Sequence, residues 1–127
     1  MAKSETRGYV VVASRERFFY LSALNLMHSI RDYDPDANIF FYCDEKFVDD
    51  AIWVADKVEY CGTHAREKIL GMAKSPWDKT FYIDADCEVA HEDLPTVFDK
   101  FEGNDLLFTY LPDDRSYCYA ELYFPGG

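Results

Sequence analysis

Tyr9-Val10-Val11-Val12-Ala13 is an unbroken apolar run, followed at once by the polar Ser14-Arg15-Glu16-Arg17 and then by a segment from Phe18 to Ile30. Such a run, with no polar alternation, predicts a central strand buried on both faces. The segment after it carries apolar residues at Phe19, Ala23, Leu26 and Ile30, flanked by Tyr20, Leu24 and Met27. That is the broad stripe of a helix covering a sheet. Strand, polar loop and helix form the first unit, and it decides the fold class because the chain then repeats it.

After the turn at Asp34-Pro35-Asp36, Ile39-Phe40-Phe41-Tyr42-Cys43 predicts a second buried strand ending in Asp44-Glu45. Phe47, Val48, Ala51, Ile52 and Ala55 follow a helical period. Lys57 to Cys61 predicts a shorter third strand closed by Gly62, and Thr63 is placed to cap a helix that carries Ile69, Leu70 and Met72 and stops at Pro76. A fourth strand is expected over Phe81 to Ile83, then a short helix opened by Glu92-Asp93-Leu94-Pro95, then strands at 106–110 and 118–124. This alternation predicts an α/β fold with a mainly parallel central sheet flanked by helices. In open sheets of this kind ligands sit beyond the carboxyl ends of the strands, where the strand order reverses. If strand four lies beside strand one, that crevice lies between Ala13 and Asp84.

The chain has 127 residues, the size of one domain, 1–127, with no internal repeat or linker. At 49% apolar residues it has the composition of a packed core, not of a disordered chain. A net charge of −11 argues against nucleic acid and anionic membranes as partners. An anionic ligand needs a bridging cation. Cys43, Cys61, Cys87 and Cys118 form no CxxC pair, so neither a zinc ribbon nor a redox motif is expected, and free thiols of a cytoplasmic protein are. Residues 1–7 lack the apolar segment of a signal peptide, and no run is long enough to span a bilayer, so a soluble protein is predicted.

The residues that carry chemistry lie at the end of the fourth strand, in Lys79-Thr80-Phe81-Tyr82-Ile83-Asp84-Ala85-Asp86-Cys87-Glu88-Val89. On a strand of period two, Asp84 and Asp86 fall on one face, so two carboxylates converge where a cation neutralises them. Hard carboxylate oxygens favour Mg²⁺ or Mn²⁺, which keep open positions for substrate phosphates. Asp32-Tyr33-Asp34 and Asp34-Pro35-Asp36 match the same short pattern, but in a polar turn where acids are simply solvated. Only Asp84-Ala85-Asp86 follows an apolar strand.

The segment Lys79 to Val89 with Leu94 to Phe98 resembles the metal-site region of GT-A nucleotide-sugar glycosyltransferases, most closely the glycogenin-like and galactosyltransferase-like members. Three features coincide: the first strand with its loop and helix, a Lys on the helix before the acids, and the Asp-x-Asp segment. The likeness spans about Gly8 to Asp99. It implies a single Rossmann-like GT-A domain binding a UDP-sugar donor and transferring the sugar, with retention, to an unidentified sugar or protein acceptor. It implies Asp84 and Asp86 as ligands of Mn²⁺ or Mg²⁺, and Ala13, Ser14 and Arg15 as the nucleotide-contacting turn. Phe19 matches an aromatic that stacks near the base, and Lys68 a basic group that reaches sugar or phosphate. Ala85 belongs to the same donor site, and Asp44 stands where relatives outside this subgroup hold the uracil edge. These families take a third metal ligand, often His, and their acceptor site from a C-terminal segment, so a minimal, C-terminally short version is expected, with a second copy of the chain as a candidate partner. The alternative is a nucleotide-sugar-binding module or a UDP-sugar hydrolase without a complete acceptor site.

Plainer roles stand beside these. Phe19 on a helical stripe also reads as core, Lys68 beside Arg66 and Glu67 as a solvated helix face, and His91 as an uncommitted surface group rather than a metal ligand. Arg17 joins Arg15 and Lys68 as a cation for the leaving phosphate. A haloacid-dehalogenase-type phosphatase is disfavoured, because its acids sit on the first strand and its Thr or Val position is Glu88 here.

Overall fold

The structure, a computed structural model, describes residues 6–47, 51–62, 67–101, 106–108 and 120–123. The elements are β1 (Arg7–Ala13), α1 (Arg17–Tyr33), β2 (Ile39–Asp44), α2 (Ala51–Val54), β3 (Lys57–Cys61), α3 (Glu67–Ala73), β4 (Lys79–Ile83), a 3₁₀ helix (Leu94–Phe101), β5 (Leu106–Phe108) and β6 (Ala120–Tyr123). They form one six-stranded sheet in the order β3-β2-β1-β4-β6-β5. The four strands from β3 to β4 are parallel, while β6 runs antiparallel to both β4 and β5. This is an α/β architecture with a mainly parallel sheet flanked by helices, compatible with a Rossmann-like fold. The predicted capping role of Thr63 and parts of the strands expected at 106–110 and 118–124 lie outside the described residues.

Central position explains the composition of β1. Tyr9, Val11 and Ala13 face a core with Ala23, Leu26, Met27 and Ile30 of α1. Val10 and Val12 face a second core with Phe40, Tyr42, Met72, Trp77 and Tyr82. Both faces are dry, as a strand without polar alternation requires. Trp77 closes the second core: its indole N–H donates to Tyr9 O at 3.1 Å, and its ring lies where a Cβ on Gly8 would stand, at 2.5 Å. Only glycine admits the ring there.

Two expectations about helices are corrected. The buried stripe of α1 begins at Tyr20, not Phe19: Tyr20 is 3% exposed and packs on Phe41, whereas Phe19 is 38% exposed. On α3, Ile69 and Leu70 face outward, and Glu67, Gly71 and Met72 are the buried residues. The helix sits too close to the sheet for branched side chains at the contact. A Cβ on Gly71 would lie 2.5 Å from Val12 Cγ2 and 3.1 Å from Tyr42 Cδ2. The segment opened by Glu92-Asp93 is a 3₁₀ helix, and Phe98 on it packs edge-on against Tyr9 at 5.2 Å.

Arg31 ties three elements together. Its guanidinium donates to Val54 O at 2.9 and 3.2 Å, to Ala37 O, and to the Asp56 carboxylate at 2.8 Å. One planar fork thus satisfies carbonyls at the end of α2 and in the α1–β2 turn. Cys43, Cys61 and Cys87 are free thiols, as expected. Among the described residues no helix is long and apolar enough to cross a membrane.

Candidate functional site

Strand order places the switch point between β1 and β4. Arg7 pairs with Lys79 and Val10 with Tyr82, so β4 stops at the level of Val11 while β1 runs on to Ala13, and the loop after β1 faces the turn after β4. A cavity of about 280 Å³ opens there, between the N-terminal end of α1 and the N-terminal end of α3. Ser14, Arg15 and Phe19 line it from the first unit, Lys68 from α3, and Asp84, Ala85 and Asp86 from the β4 end. A loop, a helix and a strand end far apart in sequence converge because the parallel crossovers bring them to the carboxyl ends of the strands.

The acids meet in a way that differs from the expectation. β4 ends at Ile83, and Asp84 to Cys87 form a turn closed by Cys87 N donating to Asp84 O at 3.0 Å. Asp84 and Asp86 therefore share the cavity through a turn rather than through strand alternation. Strand alternation does operate one step earlier: Tyr82, buried on the α3 face, directs its hydroxyl to Asp84 Oδ1 at 2.7 Å. Tyr82 and Val12 complete the cavity wall. Sequence reasoning missed both. For Tyr82 the signal was available, because a tyrosine two residues before an acid at a strand end shares its face.

Burial pushes the Asp84 carboxyl above its ordinary range; the Tyr82 hydroxyl and the Lys68 charge pull it back, and Asp86 adds to the rise. The ionised form thus stays short of compensation. That is the observation on which a divalent cation fits: two oxygen-ligand side chains face one cavity, and the inner one pays for burial without a full counter-charge. The pair by itself is two carboxylates. Among the described residues no group of three or more His, Cys, Asp or Glu is arranged to hold a metal ion.

Arg15 is the one residue other than glycine with positive φ among those described, at 75°. Left-handed backbone at a residue that carries a Cβ is costly, and such strain concentrates at binding loops. Here it occurs in a residue that lines the cavity.

The remaining expected residues lie elsewhere. Ala13 is buried at the end of β1, its carbonyl accepting from Cys61 Sγ at 3.8 Å. Asp44 ends the adjacent β2, 8% exposed and off the cavity wall, with Oδ1 accepting from Lys46 N at 3.2 Å and Oδ2 3.5 Å from Lys46 Nζ. Arg17 is exposed at the first turn of α1. His91 lines a separate hollow over the 3₁₀ helix, where its Nδ1 accepts from Asp93 N at 3.0 Å.

Fold and site together define a class: an α/β domain with an acidic pair, two cations and an aromatic ring in a cleft at the carboxyl edge of its parallel strands. No protein-family model matches the chain, and no curated protein matches it in sequence.

Proposed function

We propose that this domain is a metal-dependent glycosyltransferase of the GT-A kind, binding a UDP-sugar and transferring the sugar to a hydroxyl acceptor. One observation carries it: Asp84, Asp86, Arg15, Lys68 and Phe19 line a single cavity at the β1–β4 switch point. A diphosphate needs positive charge, a base needs a flat apolar surface, and on a chain of net charge −11 a bridging cation favours an anionic ligand at the acid pair. Asp84 and Asp86 would hold Mn²⁺ or Mg²⁺, which would supply Lewis-acid neutralisation of the diphosphate charge.

The protein's own groups have separable tasks. The Tyr82 hydroxyl fixes the orientation of the Asp84 carboxylate. Phe19, half out of the core, offers a ring face to the base. In the transfer, the bond from the anomeric carbon to the diphosphate oxygen breaks with its electron pair on oxygen. The acceptor oxygen bonds to that carbon and its proton passes to the departing diphosphate or to solvent. Arg15 and Lys68, which line the same cavity, are the cations that would stabilise the negative charge developing on the leaving diphosphate. On this reading the protein works in the cytoplasm, where free thiols persist.

The test is calorimetry of UDP and of a UDP-sugar with Mn²⁺ and with chelator, on the wild type and on Asp84→Asn with Asp86→Asn. Binding that depends on metal and is lost in the double variant is expected; binding unchanged by either refutes the site. Release of UDP from a UDP-sugar that rises with acceptor sugars marks a transferase, whereas acceptor-independent release or none marks the hydrolase or binding module.

A further inference from the structure

Beside the candidate donor cavity lies a second hollow, of about 410 Å³, between the outer face of α1 and the segment that follows β4. Phe18, Leu21, Ser22 and Asn25 line it from α1, at helical spacing, and Asp86 and Glu88 line it from the other side. Asp86 lines both hollows, so the two adjoin at the acid pair. The partition between them is a pair of rings: Phe19 faces the donor cavity and Phe18 the groove, packed edge-to-face at 5.8 Å and 68°.

The two sides of the groove are tied together. Val89 N donates to Ser29 Oγ at 2.9 Å, and Ser29 Oγ donates to Leu26 O at 2.7 Å, which clamps the segment after the acids onto α1. Cys87, 5% exposed, lines the groove between Asp86 and Glu88. The walls combine a 64% exposed Phe18 ring and a 49% exposed Leu21 with a hydroxyl, an amide and two carboxylates. Phe18 is not left out of the core by chance of helix length, because Tyr20 and Ala23 of the same helix are buried on the opposite face.

We infer that this groove binds a neutral glycoside as the acceptor. The inference rests on the donor reading above, since the shared Asp86 sets the groove directly beside the cavity assigned to the donor. The chemistry matches that class. A sugar ring has an apolar C–H face that packs on an exposed aromatic ring, and an edge of hydroxyls that pair with amide, hydroxyl and carboxylate groups. Asp86 and Glu88 at the rim, on a chain of net charge −11, oppose an anionic acceptor. A basic peptide presenting a side-chain hydroxyl is the rival occupant, and the apolar Phe18–Leu21 wall favours the sugar.

Saturation-transfer NMR tests it on the full chain, with methyl glycosides of glucose, galactose, mannose and N-acetylglucosamine, lactose, maltose, and a lysine-rich serine peptide as probes, with and without UDP and Mn²⁺. At least one sugar is expected to receive saturation on its ring protons. Its affinity should fall roughly tenfold in Phe18→Ala, the size of one lost ring contact, and measurably in Asn25→Ala. Both sites are exposed, and a circular-dichroism melt checks that each variant folds. Calorimetry of UDP with Mn²⁺ on the same samples separates the two proposals. Sugar binding that both variants weaken while UDP binding in Asn25→Ala stays unchanged supports the groove. Intact UDP binding with no transfer to any sugar, transfer that neither variant weakens, or transfer to the peptide alone overturns the groove and leaves the donor site standing. Sugar binding weakened by the variants in a protein that binds no UDP supports the groove and overturns the donor site.

Discussion

Gly71 offers a test in which two effects of opposite sign compete. In an isolated helix Gly→Ala gains about 1 kcal/mol, because alanine loses less backbone entropy. In this protein the new methyl would stand 2.5 Å from Val12 Cγ2, about 1 Å inside ordinary contact, and 3.1 Å from Tyr42 Cδ2. Val12 is a stiff β-branched residue on a central strand with 8% exposure, so it cannot swing aside. Either α3 lifts from the sheet by about 1 Å or the strand is distorted, and overpacking of this kind costs roughly 1–3 kcal/mol. Packing is expected to win, leaving Gly71→Ala destabilised by about 1 kcal/mol net. Urea denaturation followed by circular dichroism measures it, with Ile69→Ala, on the exposed side of the same helix, as a control expected to stay within about 0.5 kcal/mol of wild type. Because Lys68 rides on α3, UDP–Mn²⁺ binding should weaken in Gly71→Ala but not in the control. A Gly71→Ala protein as stable as wild type, or more so, would show that the helix gain outweighs the contact and refute the packing argument.

Three further outcomes are expected. Arg15→Gly removes left-handed strain and should stabilise the fold by about 0.5–1 kcal/mol in a urea titration, while weakening UDP–Mn²⁺ binding by calorimetry; a loss of stability contradicts the strain. Arg31→Ala leaves the Val54 and Ala37 carbonyls and Asp56 without their shared donor and should cost about 2–4 kcal/mol, and Arg31→Lys should recover less than half, because an ammonium lacks the planar fork. Equal stability of Arg31→Lys and wild type in the same titration counts against that role. Stability should also fall with alkali. Burial, then the neighbouring Cys61 and Asp44, push the Cys43 thiol up to about 12, and burial, then Glu67 and Asp44, push Cys61 up to about 11. Burial and the hydrogen bond to Asp34 raise Tyr9 as well. Above about pH 9 the unfolded chain releases protons that the fold retains, so this stability is complete below pH 9 and declines as pH rises towards 11–12, by about 1.4 kcal/mol per pH unit for each group. Urea midpoints that stay level between pH 8 and 10.5 would contradict it.

The extent to which fold and site were legible follows from the range of the forces involved. β1 could be read from five residues because a strand buried on both faces tolerates no polar side chain, and that constraint is local. The acid pair could be singled out because an apolar strand ran into it, and the same strand-loop-helix unit that announced the fold class delivered Ser14, Arg15 and Phe19 to the cavity. The rotation of α1 that buries Tyr20 and exposes Phe19 was not legible, since adjacent aromatics are interchangeable to a period count and only packing against Phe41 separates them. Nor was the outward turn of Ile69 and Leu70, which depends on a helix–sheet distance set by Gly71 meeting Val12 and Tyr42. Residue types, their period and the chemistry of two acids lie along the chain and are written there. The pairing of β1 with β4, the meeting of Lys68 with Asp84, and the groove behind Phe18 depend on segments far apart in sequence, so only close packing in three dimensions decides them.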